Sequence, residues 1–408
     1  MIDIIIIFCV LLLIAYIFDL TSSWTKVPSV ILLLLLGWIV RQITIYFGIK
    51  LPDFTPILPL IGTIGLILIV LEGSLELELK KSKIGLITKS FIGVLLSMFA
   101  LAPLLAYLFH YFGQYSFIDS LLNAIPFCII SSAIAIPSVK NISSMDKEFI
   151  IYESSLSDII GVILFAFIAL NETFNINSLG NFGLEVLIMM FISLAATIGL
   201  SFLLSKIHHH IKFIPIILLI ILIYAVSEIY HLPALVFILL FGLFIGNIDE
   251  FKRFKWIENF KPEILNKEVQ KFKELVIEAS FLVRASFFLL FGYLIKTSEI
   301  LNTETLLWSF GIVFLLFALR VIQLKLSKLY MIPLLFIAPR GLITILLFLS
   351  IEPSRRILLV NNSIIIQVII ITAFFMMIGL MINPKNKETI ESFQEYKNQE
   401  ESMTEKTE

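Results

Sequence analysis

Long apolar segments follow one another along this chain, with only short polar connections between them. Thirteen of them are long enough to cross a bilayer, which takes roughly 20 residues as a helix. The bilayer interior offers no partner to an unpaired backbone group, so each segment is predicted to be helical. The predicted segments are 2–20, 27–48, 55–74, 86–112, 118–140, 148–171, 179–205, 211–230, 232–248, 274–296, 303–325, 328–351 and 358–382.

The composition supports the same fold class. Of the 408 residues, 59% are hydrophobic and only 15% are charged, which excludes an ordinary water-soluble domain. We predict an all-α polytopic membrane protein with about 13 transmembrane helices in residues 1–382. Residues 383–408 are polar and charged, and we predict a disordered cytoplasmic tail there.

Lys and Arg are distributed unequally among the short connections. If the N-terminus lies outside, only Lys50, Lys296, Arg355 and Arg356 fall on the external side. Cytoplasmic loops carry an excess of these residues. We therefore predict an external N-terminus and a cytoplasmic C-terminus, in a membrane that we expect to be the bacterial inner membrane.

Two predicted cytoplasmic loops have more than one interpretation. Residues 249–273 mix Lys and Glu with large apolar side chains, which fits an amphipathic helix on the membrane surface. A solvated linker between two halves fits the same pattern. The cluster His208, His209 and His210 fits a pH- or metal-sensing loop or a simple solvated one.

Two segments contain residues that interrupt helices. The fifth has Pro137 after Ser131 and Ser132, and the twelfth has Pro339 followed by Arg340 and Gly341. Proline removes a backbone donor and breaks a helix. Both segments are second from the end of a six-segment half, with the seventh segment between the halves. The sequence thus predicts two inverted repeats with a broken helix in each, as in secondary transporters.

Asp158 lies in the middle of the apolar segment 148–171. A carboxylate at that depth costs at least ~2.5 kcal/mol on insertion scales, so its position indicates ion binding or proton transfer. Ser154 is one turn away on the same helix face, and the two form an oxygen-rich patch suited to a hard monovalent cation. Glu153 projects about 140° from Asp158 and therefore needs a different partner.

Two arginines of the second half are also predicted to be buried. A buried guanidinium must be paired, and the simplest assignment pairs Arg320 with Glu153. Arg340 is expected near the ends of the broken helices, where helix C-termini would stabilise its charge.

These residues favour an exchanger. A carboxylate removed from water holds a proton more readily, and a nearby cation can displace that proton. The first hypothesis is monovalent cation/H⁺ antiport through Asp158. The alternative is a sodium-coupled symporter of an organic anion on a similar inverted-repeat fold, and the third hypothesis is a channel or a transport-dead sensor. We expect no enzymatic activity, cofactor or nucleic-acid partner, because the sequence contains no motif for them.

The chain resembles the monovalent cation/proton antiporter superfamily, in particular the sodium/proton exchanger family. The resemblance runs over most of 1–382, and the order of its motifs along the chain makes it specific. These motifs are Leu71–Lys80, Ser131–Ser132, the Glu153–Asp158 segment, Phe287–Gly292, Arg320 and Pro339–Gly341.

The resemblance implies a homodimer surrounded by lipid. A core domain (about 86–171 and 303–382) would move against dimerisation helices (about 1–74 and 179–296). Asp158 would bind Na⁺ and H⁺, and Glu153 and Arg320 would form a structural pair. The hydroxyl groups expected at the ion site belong to Ser131, Ser132, Ser154 and Ser157.

One position departs from the family pattern. Ser157 precedes Asp158, where electroneutral members usually have Asn and electrogenic members have Asp. With one carboxylate at the site, we expect one-for-one electroneutral exchange. Na⁺ is the expected cation, and K⁺ and Li⁺ remain open.

Overall fold

The computed structural model describes residues 2–49, 53–139, 142–171, 176–206, 213–230, 232, 234–250 and 262–382. The loop 251–261, the three histidines 208–210 and the tail 383–408, for which the sequence makes predictions, lie outside these residues. The described chain is helical and contains no β-strand. The fold class expected from the sequence is therefore confirmed at the level of an all-helical protein.

Sixteen α-helices are defined within the described ranges. They are α1 Ile2–Thr25, α2 Ser29–Tyr46, α3 Leu58–Glu76, α4 Ile84–Leu96, α5 Ala102–Gly113, α6 Phe117–Cys128, α7 Ser132–Ser138, α8 Ser144–Leu170, α9 Ile176–Lys206, α10 Phe213–Ile229, α11 Ala234–Gly246, α12 Pro262–Leu294, α13 Thr297–Ile300, α14 Thr303–Leu326, α15 Leu342–Ser350 and α16 Asn362–Ile382.

Nine helical stretches in the described chain are long and apolar enough to cross a membrane. Two of these stretches combine helices, namely α4 with α5 and α6 with α7. Three shorter apolar helices accompany them: Ile6–Ser22, Phe213–Ile229 and Ala234–Gly246. The protein is an integral membrane protein, while the predicted count of 13 spans remains a prediction.

Several of these helices are preceded by a polar residue whose side chain caps the first turn. The side-chain oxygens of Ser116, Ser143 and Asn302 accept hydrogen bonds from backbone N–H groups in the first turns of α6, α8 and α14, at 3.1, 3.2 and 3.1 Å. Such caps satisfy N–H groups that have no partner inside the helix. They therefore define where these three helices start.

Helix α12 starts earlier than the sequence analysis placed it. The tenth segment was predicted at 274–296, after a loop 249–273, but the helix is continuous from Pro262 to Leu294. Proline is favoured in the first turn of a helix, and no further proline or glycine interrupts the chain before Gly292. Residues 262–273 thus extend the transmembrane helix and do not form a separate surface helix.

The twelfth predicted segment, 328–351, is helical only in part. Helix α14 ends at Leu326 and α15 begins at Leu342, with turns and extended backbone between them. Pro333 and Pro339 supply no backbone donor and oppose a helix in this interval. The interval therefore carries carbonyl groups that need partners from elsewhere in the protein.

The helices pack in two sets. In one, α12 packs against α2 and α3, and α11 packs against α3, α9 and α10. In the other, α4, α6 and α7 pack on α8, α5 packs on α6, and α14 packs on α16. Helices α3 and α11 contact α8 across the boundary, and α15 contacts α3, α6 and α8. A division into moving core and dimerisation domains remains a prediction.

Two glycines allow α2 and α12 to approach closely. A Cβ on Gly37 would lie 2.2 Å from the carbonyl oxygen of Leu289, and one on Gly292 would lie 2.4 Å from that of Leu34. Neither side could give way, because the obstacle is backbone. Small residues at such crossings are typical of membrane helices that pack backbone to backbone.

The link between α3 and α4 is attached to both helix sets. The side-chain amide of Asn247, just after α11, donates to the carbonyl of Leu77 at 2.7 Å. The ammonium of Lys83 lies 2.9 Å from carboxylate oxygens of both Glu78 and Glu148. Since Glu148 belongs to α8, the link connects the two sets at this end of the bundle.

Candidate ion-binding site

Two non-helical segments cross near the middle of the protein. Helix α6 ends at Cys128 and α7 begins at Ser132, and the backbone N–H of Ser131 donates to the carbonyl of Pro339 at 2.9 Å. A Cβ on Gly341 would lie 2.8 Å from the Ser131 hydroxyl oxygen. A side chain at Gly341 would therefore disturb the crossing.

Asp158 of α8 lies against this crossing and is 2% exposed. Its Oδ2 accepts a hydrogen bond from the backbone N–H of Ser132 at 3.3 Å and a second from the Ser132 hydroxyl. Its Oδ1 has no hydrogen-bond partner. A buried carboxylate oxygen that lacks a donor is suited to a cation or a proton.

The four predicted serines lie at different places around Asp158. Ser132 binds it directly. Ser157 accepts a hydrogen bond from the N–H of Ile130 at 2.9 Å, which attaches the extended segment to α8. The buried hydroxyl of Ser131 has no hydrogen-bond partner.

Ser154 makes its hydrogen bond within its own helix. Its hydroxyl donates to the carbonyl of Ile150 at 2.7 Å, on its own helix. Hydroxyl groups in helix interiors commonly bond to the carbonyl one turn before them. The Ser154 proton is thus committed to the helix backbone, and Ser132, from another helix, is the residue that donates to Asp158.

Glu153 and Arg320 form a buried ion pair. Their side chains are 1% and 3% exposed, and the guanidinium donates to the carboxylate. The guanidinium also donates to the carbonyls of Leu334, at 3.1 and 3.2 Å, and Ile337, at 3.2 Å. One arginine therefore neutralises a carboxylate and satisfies carbonyls of the non-helical interval between α14 and α15.

Arg340 follows Pro339 in the crossing. It is 2% exposed, and its guanidinium donates to the carbonyls of Phe127, at 2.5 Å, and Ala338, at 2.7 Å. Carbonyls in the last turn of a helix have no partner inside that helix. Arg340 thus supplies donors to the C-terminal end of α6, while its own N–H donates to the Thr372 hydroxyl at 3.1 Å.

Sequence reasoning missed two residues of this arrangement. Gln323 donates to Glu153 from one turn after Arg320, and Thr372 anchors the backbone of Arg340. The spacing of Gln323 from Arg320 could have indicated its role, because the two share a helix face. Thr372 gives no local signal, since its partner is distant in the chain.

Among the described residues, no three His, Cys, Asp or Glu side chains are arranged so that they could hold a metal ion. A resident transition metal therefore has no ligand set in this part of the chain. A monovalent cation has other needs, because it is held by carboxylate, hydroxyl and carbonyl oxygens. Asp158 and the surrounding serines offer oxygens of the first two kinds.

Comparison with known proteins identifies the family. The family described as sodium/hydrogen exchanger, transmembrane, matches residues 9–387. The chain belongs to this family. The resemblance seen in the sequence motifs is thereby confirmed, and the symporter alternative is not favoured.

Solved structures show the same fold. This exchanger-family chain matches the sodium proton antiporter MjNhaP1 from Methanocaldococcus jannaschii at pH 8, with a TM-score of 0.66 and 18% identity over 93% of this chain and 95% of that one. An electron-microscopy structure of the same antiporter matches with a TM-score of 0.66 and 19% identity, over the same shares. No curated protein sequence matches the chain.

Proposed function

We propose that this protein exchanges a monovalent cation for H⁺ by alternating access, and that Asp158 binds each of them in turn. The observation that supports this most directly is the buried carboxylate itself. Asp158 is 2% exposed and has one oxygen without a hydrogen-bond partner, beside the crossing of two non-helical segments. Non-helical backbone at membrane depth is typical of transporter binding sites.

The further ligands that we propose are hydroxyl oxygens. Ser132 already binds Asp158, and the Ser131 hydroxyl, which lies at the crossing, has no partner. Ser154 and Ser157 present oxygens from the same helix as Asp158. A dehydrated Na⁺ needs several such oxygens, so the serines replace water that the cation loses on binding.

Glu153, Arg320 and Arg340 have a structural role in this proposal. The first two neutralise each other, and both arginines donate to carbonyls of interrupted backbone. They hold the crossing together while its charge changes. Asp158 is then the carboxylate whose occupancy alternates between cation and proton.

We propose Na⁺ as the cation and electroneutral one-for-one exchange. The family description names sodium and hydrogen, which supports the choice of ion. Ser157 stands where a second carboxylate would give an additional charge. With a single exchanged carboxylate, one Na⁺ replaces one H⁺, and no net charge moves.

The architecture that we propose follows the sequence expectations. Helices α6 and α7, with the break between them, form the interrupted element of one inverted repeat. The non-helical interval before α15, together with α15, forms the corresponding element of the other repeat. The core helices 86–171 and 303–382 move against the helices 1–74 and 179–296, which also form the homodimer. The N-terminus lies outside and the C-terminus in the cytoplasm of a bacterial inner membrane.

The test uses everted membrane vesicles that are energised to an acidic interior. A pH-sensitive dye reports the gradient when Na⁺, Li⁺ or K⁺ is added. We expect a cation to collapse the gradient with the wild-type protein and not with Asp158→Asn. The matched control is Asp146→Asn, the same substitution near the start of the same helix, which should retain exchange.

Two outcomes would contradict the proposal. Exchange that survives in Asp158→Asn would remove Asp158 from the reaction. If no cation affects the gradient with wild-type protein present in the membrane over about pH 6 to 9, cation/proton exchange itself is wrong. Sodium-driven uptake of organic anions would then be the measurement to make.

A further inference from the structure

A cavity of about 330 Å³ lies beside the helix that carries Asp158. Its wall on α8 includes Val162, Phe165 and Ala169. These residues follow Asp158 at intervals of one helical turn, so they continue the same face of the helix. The cavity thus begins about 6 Å along the axis from Asp158, at the rise of one turn, and extends towards the Leu170 end.

The rest of the lining comes from α3, α10, α11 and α15, so the cavity lies between α8 and helices of the other set. Space between the two sets is where a path from one face of the membrane to Asp158 would open. In the orientation predicted from the basic residues, the Leu170 end of α8 faces the outside.

One carboxylate lines this cavity. Among its described lining residues, Glu228 of α10 is the only one with a charge, and the rest are apolar except for a few hydroxyl groups. Glu228 is exposed, and Tyr224, one turn before it on α10, also lines the cavity. The two side chains therefore share one face of α10.

We propose that Glu228 is an outer cation-attracting site that a hydrated monovalent cation meets before it reaches Asp158. Walls of low polarity concentrate the field of a single charge and raise the local concentration of the opposite charge. Because Glu228 is exposed, the cation keeps its water there and binds weakly. This inference rests on the proposed exchange, and it adds a residue to the path and not to the exchange site.

The position of Glu228 separates its role from that of Asp158. Glu228 belongs to α10, whereas Asp158 belongs to α8 and is not among the residues that line the cavity. Removing the charge of Glu228 should weaken the approach of cations from this face alone. The rate at saturating cation and the affinity at the opposite face should not change.

The experiment measures the apparent KM for Na⁺ separately at each face. Right-side-out vesicles with an acidic interior take up radiolabelled Na⁺ through the predicted external face, and everted vesicles report the cytoplasmic face. We expect Glu228→Gln to raise the apparent KM at the external face about fivefold at low ionic strength, because one nearby charge is lost. The increase should shrink in high concentrations of an impermeant salt, since salt screens exposed charges.

Three further variants serve as controls. Glu228→Asp retains the carboxylate and should keep most of the affinity. Tyr224→Phe removes the neighbouring hydroxyl and should raise the apparent KM by less than Glu228→Gln. Glu304→Gln removes an exposed carboxylate at the start of α14, predicted to lie on the same membrane face, and should leave the apparent KM unchanged.

Several results would overturn the inference. An unchanged external KM in Glu228→Gln would remove the outer site, and so would an equal effect of Glu304→Gln, which would indicate general surface charge. A lower maximal rate at unchanged KM would assign Glu228 a structural role with Tyr224. Failure of the proposed exchange would look different, because wild-type vesicles would then show no cation-dependent H⁺ movement from either face.

Discussion

The buried pair Glu153 and Arg320 offers the sharpest test of how this fold is held together. Replacing Arg320 by Leu leaves the Glu153 carboxylate, 1% exposed, without a counter-charge. Breaking a buried ion pair from one side costs about 3–5 kcal/mol. The substitution also removes the donors to the carbonyls of Leu334 and Ile337, at about 1 kcal/mol or more for each. We therefore expect Arg320→Leu to lose about 5 kcal/mol or more of stability.

The companion variants separate charge from hydrogen bonding. Glu153→Gln leaves the arginine unpaired but keeps its bonds to the carbonyls, so we expect a smaller loss of about 3 kcal/mol. The double variant Glu153→Gln with Arg320→Leu has no uncompensated charge. We expect it to be more stable than Arg320→Leu alone, with a coupling energy of about 2 kcal/mol or more.

The assay is the thermal unfolding midpoint of purified protein in one detergent, followed by intrinsic fluorescence at a fixed heating rate. Unfolding in detergent is commonly irreversible, so the order of the midpoints is the readout. Asp158→Asn serves as the control, because Oδ1 of Asp158 has no hydrogen-bond partner to lose. We expect that variant to unfold at or above the wild-type temperature while it loses transport.

The reasoning would be refuted by either of two results. One is an Arg320→Leu protein that unfolds at the wild-type temperature, which would mean that the pair is solvated and not buried. The other is a double variant that unfolds at a lower temperature than Arg320→Leu alone. That order would show that removing the unpaired carboxylate does not relieve the loss.

Three further predictions concern the site, the packing and the link. Ser132→Ala should weaken the apparent cation affinity about tenfold, because a hydrogen bond to a carboxylate contributes about 1.5–3 kcal/mol. The control is Ser138→Ala on the same helix α7, whose hydroxyl bonds the helix backbone, and it should change the affinity less than twofold. Equal effects of the two substitutions would refute this prediction. Gly37→Ala should lower the thermal unfolding midpoint, whereas Gly311→Ala should not, because a Cβ on Gly311 would meet open space. An unchanged midpoint in Gly37→Ala would contradict the close crossing of α2 and α12. Hydrogen bonds from Lys80 and Lys83 lower the pKa of Glu78 from its ordinary value of 4.5 to about 2. The attraction between these side chains is therefore fully present above about pH 4.5 and is lost only as the pH falls towards 2. Lys83→Gln should therefore change the transport rate by less than about fivefold, equally at all pH values from about 6 to 9, and a shifted pH profile would contradict it.

The sequence was sufficient to predict the helical fold class and the contact between two buried charges. Apolar runs bounded by charged connections have one stable form in a bilayer, so the helices follow from local composition. Glu153 and Asp158 are neighbours on one helix, and helical geometry alone places them on different faces. The scarcity of buried cations then made Arg320 the natural partner of Glu153, and the structure brings these two side chains together.

Only the tertiary structure shows which of the expected hydroxyl groups bonds Asp158. Local spacing favoured Ser154, yet the Ser154 hydroxyl bonds its own helix, and Ser132 from α7 donates to the carboxylate. The prolines predicted an interruption in the twelfth segment. They did not predict that Arg320, from another helix, would donate hydrogen bonds to its carbonyls. Contacts of this kind depend on how segments far apart in the chain cross, and local propensity and periodicity contain no information about that crossing. The sequence by itself thus determined the helices and the need to pair their charges, and long-range packing decided the partners.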